Sequence, residues 1–240
     1  MVVAIPDVHM DATVPLHPAY KVVEKFIKDL RPEVVVALGD FLDMGSLSHW
    51  ANGKPKLLEG KRYWADVEMA RNRLANLRKY CQTMAFLMGN HEDWVEKFLE
   101  VHPSLIGTID LARDLDLEKM DIAITPVNMV YSIGKLNFIH GWYTNMYHAR
   151  KHLDDMGDHV FYGHTHDHQS YAKPVRAKRY PYIAMSLGCL CDLNPHYLRN
   201  KPARHLHGFG VFEVMGDGTF TPIFIPIIGG RFKYGGVEFK

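Results

Sequence analysis

Apolar residues follow two alternating patterns over the first half of the chain. Unbroken apolar runs at residues 2–5, 34–38 and 84–88 predict buried strands. Between the first two runs, apolar residues recur every three or four positions, and Arg31-Pro32 follows them, which predicts a helix that ends there. A strand, a helix and a strand in this order predict parallel strands joined by a right-handed crossover.

Other segments of the first half have weaker patterns. Residues 45–60 are polar and rich in glycine and lysine, which predicts a loop. A long helix is expected from about residue 60 to residue 80, and a short helix at 92–100. The pattern of residues 103–120 does not distinguish a helix from an irregular segment. The buried face of the long helix is expected to contain Trp64, Val67, Ala70, Leu74 and Leu77.

The second half of the chain predicts more strands than helices. Segments 127–133 and 136–139 flank a Gly134-Lys135 turn and predict a hairpin. A helix is expected at 146–156, and further strands at 160–162, 182–187, 210–215 and 219–225. These elements predict an α/β fold, with two packed sheets, in a single domain that spans residues 1–240.

Composition and charge exclude some classes of protein. No apolar run approaches the roughly 20 residues needed to cross a bilayer, and the first residues do not resemble a signal peptide. Only three cysteines are present, which favours a reducing compartment, so we expect a cytoplasmic location. The net charge of +1 provides no overall field that would attract nucleic acid or a membrane. The 15 histidines are more than this composition requires, and their positions are informative.

Five short motifs contain side chains that bind metals. They are Asp7-Val-His9, Gly39-Asp40-Phe-Leu-Asp43, Gly89-Asn90-His91-Glu92, His140-Gly141 and Gly163-His164-Thr-His166. Each follows an expected apolar strand, and the carboxyl ends of strands are where open α/β sheets place their ligand sites. If the Asp-x-His and His-x-His segments are extended, both side chains of each pair point the same way.

Each motif alone has a simpler explanation. Asp-x-His occurs by chance, Gly-Asp is common in turns, and Glu92 favours the first turn of a helix. All five motifs nevertheless occur in succession at strand ends. A mixture of imidazole, carboxylate and amide ligands suits Mn, Fe, Zn, Ni or Co better than Mg or Ca. Two such ions about 3.5 Å apart lower the pKa of a bridging water and supply a hydroxide for phosphoester hydrolysis.

These motifs, in this order, resemble those of the calcineurin-like metallophosphoesterases. The resemblance covers about residues 2–166 by motif. It implies a four-layer α/β sandwich in which two mixed β-sheets are flanked by helices. It also implies two divalent transition-metal ions, with manganese as the first choice and Fe, Zn, Ni or Co as alternatives.

The resemblance also implies a role for each motif residue. One ion would be bound by Asp7, His9, Asp40 and His166, and the other by Asp40, Asn90, His140 and His164. His91 would be the general acid that protonates the leaving oxygen. Asp43 would orient His91 through a hydrogen bond that fixes its tautomer.

One position departs from a branch of this family. Phosphoprotein phosphatases follow the second aspartate with Arg-Gly, whereas Asp43 is followed here by Met44-Gly45. The absence of that arginine argues against a protein phosphatase. The phosphodiesterase and nuclease branches do not require it.

Cationic and aromatic residues follow the later motifs. They suit a nucleotide or nucleic-acid substrate, and we select His148, Arg176 and Arg179 as candidate contacts. A solvated surface explains the same charges equally well. The favoured function is a phosphodiesterase or nuclease. The alternatives are a phosphomonoesterase that acts on a nucleotide or small metabolite, and a non-catalytic scaffold of the same fold.

Overall fold

The chain forms a mixed α/β structure with two large sheets. The computed structural model describes residues 1–51, 53–176 and 180–240. The α-helices are α1 Pro18–Leu30, α2 Pro55–Leu58, α3 Tyr63–Arg78, α4 Trp94–Val101, α5 Leu111–Asp114 and α6 His148–Met156. The strands are β1 Val2–Ile5, β2 Val34–Ala37, β3 Thr83–Leu87, β4 Ile122–Thr125, β5 Tyr131–Ile133, β6 Leu136–Ile139, β7 Val160–Tyr162, β8 Ser170–Lys173, β9 Tyr182–Ser186, β10 Gly208–Val214, β11 Phe220–Pro226, β12 Phe232–Tyr234 and β13 Val237–Phe239.

Both large sheets combine parallel and antiparallel pairs. The first has the strand order β11-β10-β1-β2-β3-β4, in which β1 to β4 are parallel. The second has the order β5-β6-β7-β9-β8, in which β6, β7 and β9 are parallel. Strands β12 and β13 form a separate hairpin. The predicted β-α-β unit is confirmed, because β1 and β2 are parallel neighbours joined by α1.

Alternation along the strands produces four layers. Alternate residues of β1, such as Val2 and Ala4, pack with Phe138 and Phe161 of the second sheet, so the two sheets face each other. The other face of the first sheet packs against α1, α3 and α4. The outer face of the second sheet packs against α6. The expected four-layer sandwich is therefore confirmed.

Several expected boundaries differ from the structure. Residues 45–60 contain short helical turns and α2 rather than a plain loop, and the helix expected from about residue 60 begins at Tyr63. The helix expected at 92–100 begins at Trp94. The strand expected at 127–133 covers only Tyr131–Ile133. Strands β4, β8, β12 and β13 were not expected, because short and partly exposed strands leave little apolar periodicity.

Trp64 contradicts the buried face expected for the long helix. Its side chain is 57% exposed, whereas Val67, Ala70, Leu74 and Leu77 are buried as expected. The helix begins only one residue before Trp64, so this side chain lies at the rim of the core. Among the described residues, no helix is both long and apolar enough to span a membrane.

Candidate metal centre

The five motifs meet at one edge of the sandwich. Asp7, Asp40 and Asn90 follow the parallel strands β1, β2 and β3. His140 and His164 follow the parallel strands β6 and β7 of the facing sheet. Parallel strands bring their carboxyl ends to the same edge, and for this reason residues far apart in sequence become neighbours.

The carboxylate of Asp40 lies at the centre of this cluster. Its Oδ2 is 3.3 Å from His140 Nε2, 3.7 Å from His9 Nε2 and 3.9 Å from His91 Nε2. Its Oδ1 accepts a hydrogen bond of 2.9 Å from the backbone N–H of His91. One oxygen of a nearly fully buried carboxylate thus faces three imidazoles.

Two groups of donor atoms lie on either side of Asp40. In the first, His166 Nε2 is 3.4 Å from Asp7 Oδ1 and 3.1 Å from His9 Nε2. In the second, His140 Nε2 is 3.0 Å from Asn90 Oδ1. His164 joins the second group, because it offers a ring nitrogen within 4.8 Å of donor atoms of Asp40 and His140.

The backbone at the motifs is left-handed rather than extended. Asp7, His9, Asp40, His164 and His166 all have φ between 37° and 67°. The extended condition under which both side chains of each pair would point the same way is therefore not met. A non-glycine residue in this region costs about 1 kcal/mol, and such strain concentrates at functional sites. The chain turns sharply just after each strand, which directs the side chains of both pairs into the cluster.

Glycine is required at two positions where the backbone lies directly against a carboxylate. A Cβ at Gly89 would overlap Asp40 Oδ1, and a Cβ at Gly163 would overlap Asp7 Oδ2. The backbone beside Gly163 also binds Asp7, because His164 N–H donates to both carboxylate oxygens at 2.8 and 3.0 Å. Glycine at these positions therefore lets two ligand carboxylates pack directly on the neighbouring motif.

The electrostatics of the cluster favour a positive charge at its centre. Although burial opposes ionisation, the charge of His140 holds the pKa of Asp40 well below its usual range. Burial likewise opposes protonation of His140, yet the charge of Asp40 raises its pKa to about 10. Burial and the nearby His140 lower the pKa of His164 to about 4. The buried carboxylates of Asp40 and Asp7 thus stabilise positive charge here. His164 stays unprotonated, so a ring nitrogen is free to bind a metal ion.

His91 is held by two contacts at the outer side of the cluster. Its Nδ1 lies 2.6 Å from the backbone carbonyl oxygen of Asp43, and its ring stacks on Trp94 with centroids 3.9 Å apart. A carbonyl oxygen can only accept, so Nδ1 carries a hydrogen and Nε2 is the atom that faces Asp40. Burial lowers the pKa of His91.

The hydrogen bond expected between Asp43 and His91 comes from the main chain of Asp43, and the Asp43 carboxylate has another partner. Its Oδ1 is 3.9 Å from His91 Nδ1, beyond hydrogen-bonding distance, whereas its Oδ2 accepts from Lys61 Nζ at 2.7 Å. Lys61 also pairs with Asp11 at 2.8 Å. Asp43 thus contacts His91 closely through its main chain, and its side chain forms part of an ion-pair network.

The metal-site histidines make contacts through their other ring nitrogens. His140 Nδ1 donates to the carbonyl oxygen of Leu38 at 2.8 Å. His9 Nδ1 is 3.8 Å from Asp43 Oδ1, and His166 Nδ1 is 3.9 Å from the thiol sulfur of Cys191. A hydrogen bond such as that of His140 orients a ligating imidazole and makes it more basic, whereas the longer contacts of His9 and His166 are only close approaches.

Glu92 joins the segments that follow strands β2 and β3. Its carboxylate accepts hydrogen bonds from the backbone N–H groups of Asp40, Leu42 and Gly89 at 2.8 to 3.0 Å. Burial and the charge of Asp40 raise its pKa to about 7. The simpler explanation of Glu92, a position in the first turn of a helix, does not hold, because α4 begins two residues later.

Glu92→Ala should strongly destabilise the protein. It would leave three buried N–H groups without acceptors, and each costs about 1–3 kcal/mol, so we expect a loss of at least 3 kcal/mol. Urea unfolding in the presence of EDTA measures the loss without any contribution from bound metal. Glu96→Ala is the matched control, because Glu96 is exposed on α4. Equal stability of both variants would contradict this role for Glu92.

The candidate substrate contacts lie in different environments. His148 is buried, with Nδ1 2.7 Å from the Tyr162 hydroxyl and Nε2 3.1 Å from Asp167 Oδ2. Arg176 is exposed after β8. Arg179 lies outside the described residues. The structure thus brings His148, but not Arg176, into a polar network close to His164.

His152 supports the segment that follows His140. Its Nε2 accepts hydrogen bonds from the backbone N–H groups of Trp142 and Tyr143 at 2.8 and 3.2 Å. Its Nδ1 donates to the carbonyl oxygen of His148 at 2.7 Å. Burial lowers its pKa to about 4. Only a neutral imidazole can accept two N–H groups while it donates from its other nitrogen.

The neutral state of His152 should make stability depend on pH. An unfolded histidine has a pKa near 6.5, so unfolding takes up a proton between about pH 6.5 and pH 4, and the stabilisation is lost as the pH falls through that window. As the pH is lowered from 6.5 to 4, we expect the free energy of unfolding of the wild type, measured relative to His152→Gln, to fall by about 3 kcal/mol. Urea unfolding from pH 4 to 7 tests this. His102→Gln, at an exposed position, should show no such trend.

Sequence reasoning missed several residues of the site. Glu92 carried a signal, since it directly follows two predicted site residues. Lys61 carried none, because a lysine in a polar segment is ordinary. Cys191 carried no signal either, because its position beside His166 depends on the connection after β9.

The donor atoms fit the divalent metal ions that the motifs suggested. Imidazole nitrogens, carboxylate oxygens and one amide oxygen converge in two adjoining groups, and their nitrogens and oxygens suit first-row transition metals. Most of these side chains are largely buried, so a bound cation would also compensate the carboxylates.

Comparisons with known proteins agree with this geometry. A sequence model of the family described as calcineurin-like phosphoesterase matches residues 1–168. The chain is 28% identical to the Gene 54 protein of Mycobacterium phage D29 over 237 residues, which cover 90% of each chain. It is 25% identical to the Gene 54 protein of Mycobacterium phage L5 over 232 residues, again covering 90% of each. The chain therefore belongs to the calcineurin-like phosphoesterase family, whose members are metal-dependent hydrolases of phosphoesters.

Proposed function

We propose that this protein is a dinuclear metal-dependent phosphodiesterase or nuclease that acts on nucleotides or nucleic acid. The observation that carries the proposal is the position of Asp40, whose Oδ2 lies within 4 Å of His9 in one donor group and His140 in the other. A carboxylate between two donor groups can bridge two ions. The family match supports the reaction class, and the diester preference is our own step beyond it.

Two sets of side chains would hold the ions. Asp7, His9, Asp40 and His166 would bind one, and Asp40, Asn90, His140 and His164 the other. Manganese is our first choice, because carboxylate and amide oxygens accompany the imidazoles. When bound, two such ions act as Lewis acids that activate water and stabilise charge on the phosphoryl oxygens.

His91 would supply the proton for the leaving group. Its Nδ1 hydrogen is committed to the Asp43 carbonyl, so the transferable proton is at Nε2. Only the imidazolium carries a proton at Nε2; burial lowers the pKa of His91, which makes this form a stronger acid towards a developing alkoxide and also reduces its share at neutral pH. Stacking on Trp94 restricts the ring to the orientation in which Nε2 faces the cluster.

Two observations favour a diester over a monoester. Met44 occupies the position of the phosphatase arginine and is buried, so it offers no charge to a phosphate dianion. Arg176 is exposed after β8, and the sequence around it is rich in cations; we propose that Arg176 and Arg179 contact the substrate. The three cysteines are free thiols, which supports our proposal of a cytoplasmic location.

Paired chromogenic substrates test the proposal. The Mn²⁺-loaded protein should hydrolyse bis-p-nitrophenyl phosphate with a kcat/KM at least about tenfold above that for p-nitrophenyl phosphate. The reverse ratio would support the phosphomonoesterase instead. Absence of turnover with either substrate and any of the candidate metals would support the non-catalytic scaffold.

A further inference from the structure

A polar cavity opens directly beside the candidate metal centre. Its volume is about 520 Å³, and the ligand histidine His164 forms part of its wall. The remaining wall comes from three segments: the loop after His140, the residues after His164, and the chain that precedes β10. Because His164 belongs to both, a substituent of a phosphate bound at the metal ligands can reach this cavity.

Hydrogen bonds hold the inner wall of the cavity in place. His148 is fixed between the Tyr162 hydroxyl and Asp167, and Asp167 also accepts from Ser186 Oγ at 3.3 Å. Gln169 Nε2 donates to the carbonyl oxygen of Met146 at 2.9 Å, which secures the loop. A wall ordered before binding reduces the entropy that a ligand loses.

The charges of the cavity are balanced. Arg204 is exposed at its edge and makes no ion pair with the described residues, whereas Asp167 contributes a carboxylate to the wall. A second phosphate group in the cavity would be repelled by the Asp167 carboxylate, and Arg204 alone would not compensate for that repulsion. A neutral polar group avoids the repulsion and can still stack on the planar guanidinium.

The cavity offers both donors and acceptors to such a group. Asn145 and Thr144 are exposed at one side, and their amide and hydroxyl groups can donate and accept. His205 lies at another side, and its buried Nδ1 makes no hydrogen bond of good geometry with the described residues. Met146 adds an apolar surface. A flat heterocycle with a mixed hydrogen-bonding edge suits this combination.

We propose that this cavity is a subsite for the nucleoside of a nucleotide diester, with Asn145 and Arg204 as its main contacts. Its volume lies within the range of small-molecule pockets. The inference rests on the proposed function, because it places the scissile phosphate at the metal ligands. It adds to that function a defined site for the retained nucleoside.

Two diesters with the same leaving group test the subsite. Thymidine 5′-(p-nitrophenyl phosphate) and bis-p-nitrophenyl phosphate carry the same charge and release the same p-nitrophenolate, so they differ only in the retained group. Asn145→Ala and Arg204→Ala should each raise KM for the thymidine ester about tenfold, and change KM for the other ester less than twofold. Both side chains are exposed, so neither change threatens the fold.

Arg150→Ala is the matched control. Arg150 is exposed on α6, pairs with Asp154 at 3.5 Å and does not line the cavity. This variant should leave KM unchanged for both esters. Equal increases for both esters in Arg204→Ala would overturn the proposal, because the arginine would then contact the scissile phosphate. Unchanged KM for the thymidine ester in both cavity variants would also overturn it.

Failure of the proposed function can be separated from failure of the subsite. If the wild type hydrolyses neither ester, the function is wrong, and titration calorimetry with thymidine 5′-monophosphate then tests the cavity alone. Binding that weakens about tenfold in Arg204→Ala but not in Arg150→Ala would support the subsite. Absence of binding to the wild type would overturn it.

Discussion

Replacing Asp40 with alanine should abolish phosphoester hydrolysis and reduce the metal content of the protein at the same time. Asp40 Oδ2 lies 3.3 Å from His140 Nε2 and 3.7 Å from His9 Nε2, so its loss removes an oxygen that both donor groups share. The two groups would also lose the buried negative charge that favours a cation. Turnover of bis-p-nitrophenyl phosphate and metal analysis of the same sample measure both effects.

The matched control for this change is Asp29→Ala. Asp29 is exposed at the end of α1 and pairs only with Lys25, at 2.9 Å, among the described residues. This variant should keep full activity and metal content. If Asp40→Ala retained two ions per chain, the bridging role of Asp40 would be wrong, even if activity were lost.

His91→Asn should leave both ions bound and slow the reaction by roughly 10²–10⁴-fold, the usual contribution of a general acid. The imidazole Nε2 would be lost as a proton donor, whereas the donor groups of Asp7 and Asn90 would remain. The fall should appear in kcat. It should be smaller for p-nitrophenyl esters than for alkyl esters, because p-nitrophenolate leaves without protonation.

Metal analysis is decisive for His91. Its ring lies close enough to His9 and Asp40 for the three side chains to hold an ion together, so a direct role as a ligand is the alternative. Loss of one ion from His91→Asn would establish that alternative. His102→Asn, at an exposed position after α4, should change neither metal content nor rate.

Much of the fold followed from the sequence. The strands that precede the motifs are short apolar runs, and their ends fall within one residue of expectation at β1, β2, β3, β6 and β7. Buried parallel strands leave this signal because both of their faces are covered. The short strands β4 and β8 were missed, because they lie at sheet edges, where two of the four residues of β4 are exposed and none of β8 is buried.

The site was less predictable than the fold. The motif residues do come together, but through a left-handed backbone at Asp7 and His9 rather than through the extended segment considered for them. The carboxylate of Asp43 binds Lys61 rather than His91, although both contacts are compatible with the same sequence. Local sequence cannot distinguish them, because a position 18 residues away determines which partner is present.

The donor types, their places after parallel strands and their suitability for transition metals could all be read from the amino-acid sequence. These features depend on residue identity and strand periodicity, which are local. The division of the donors around Asp40, the contact of the Asp43 main chain with His91 and the cavity beside His164 could not be read from it. These features depend on contacts between distant segments, because the packing of two sheets sets the distances among groups that the chain itself keeps far apart.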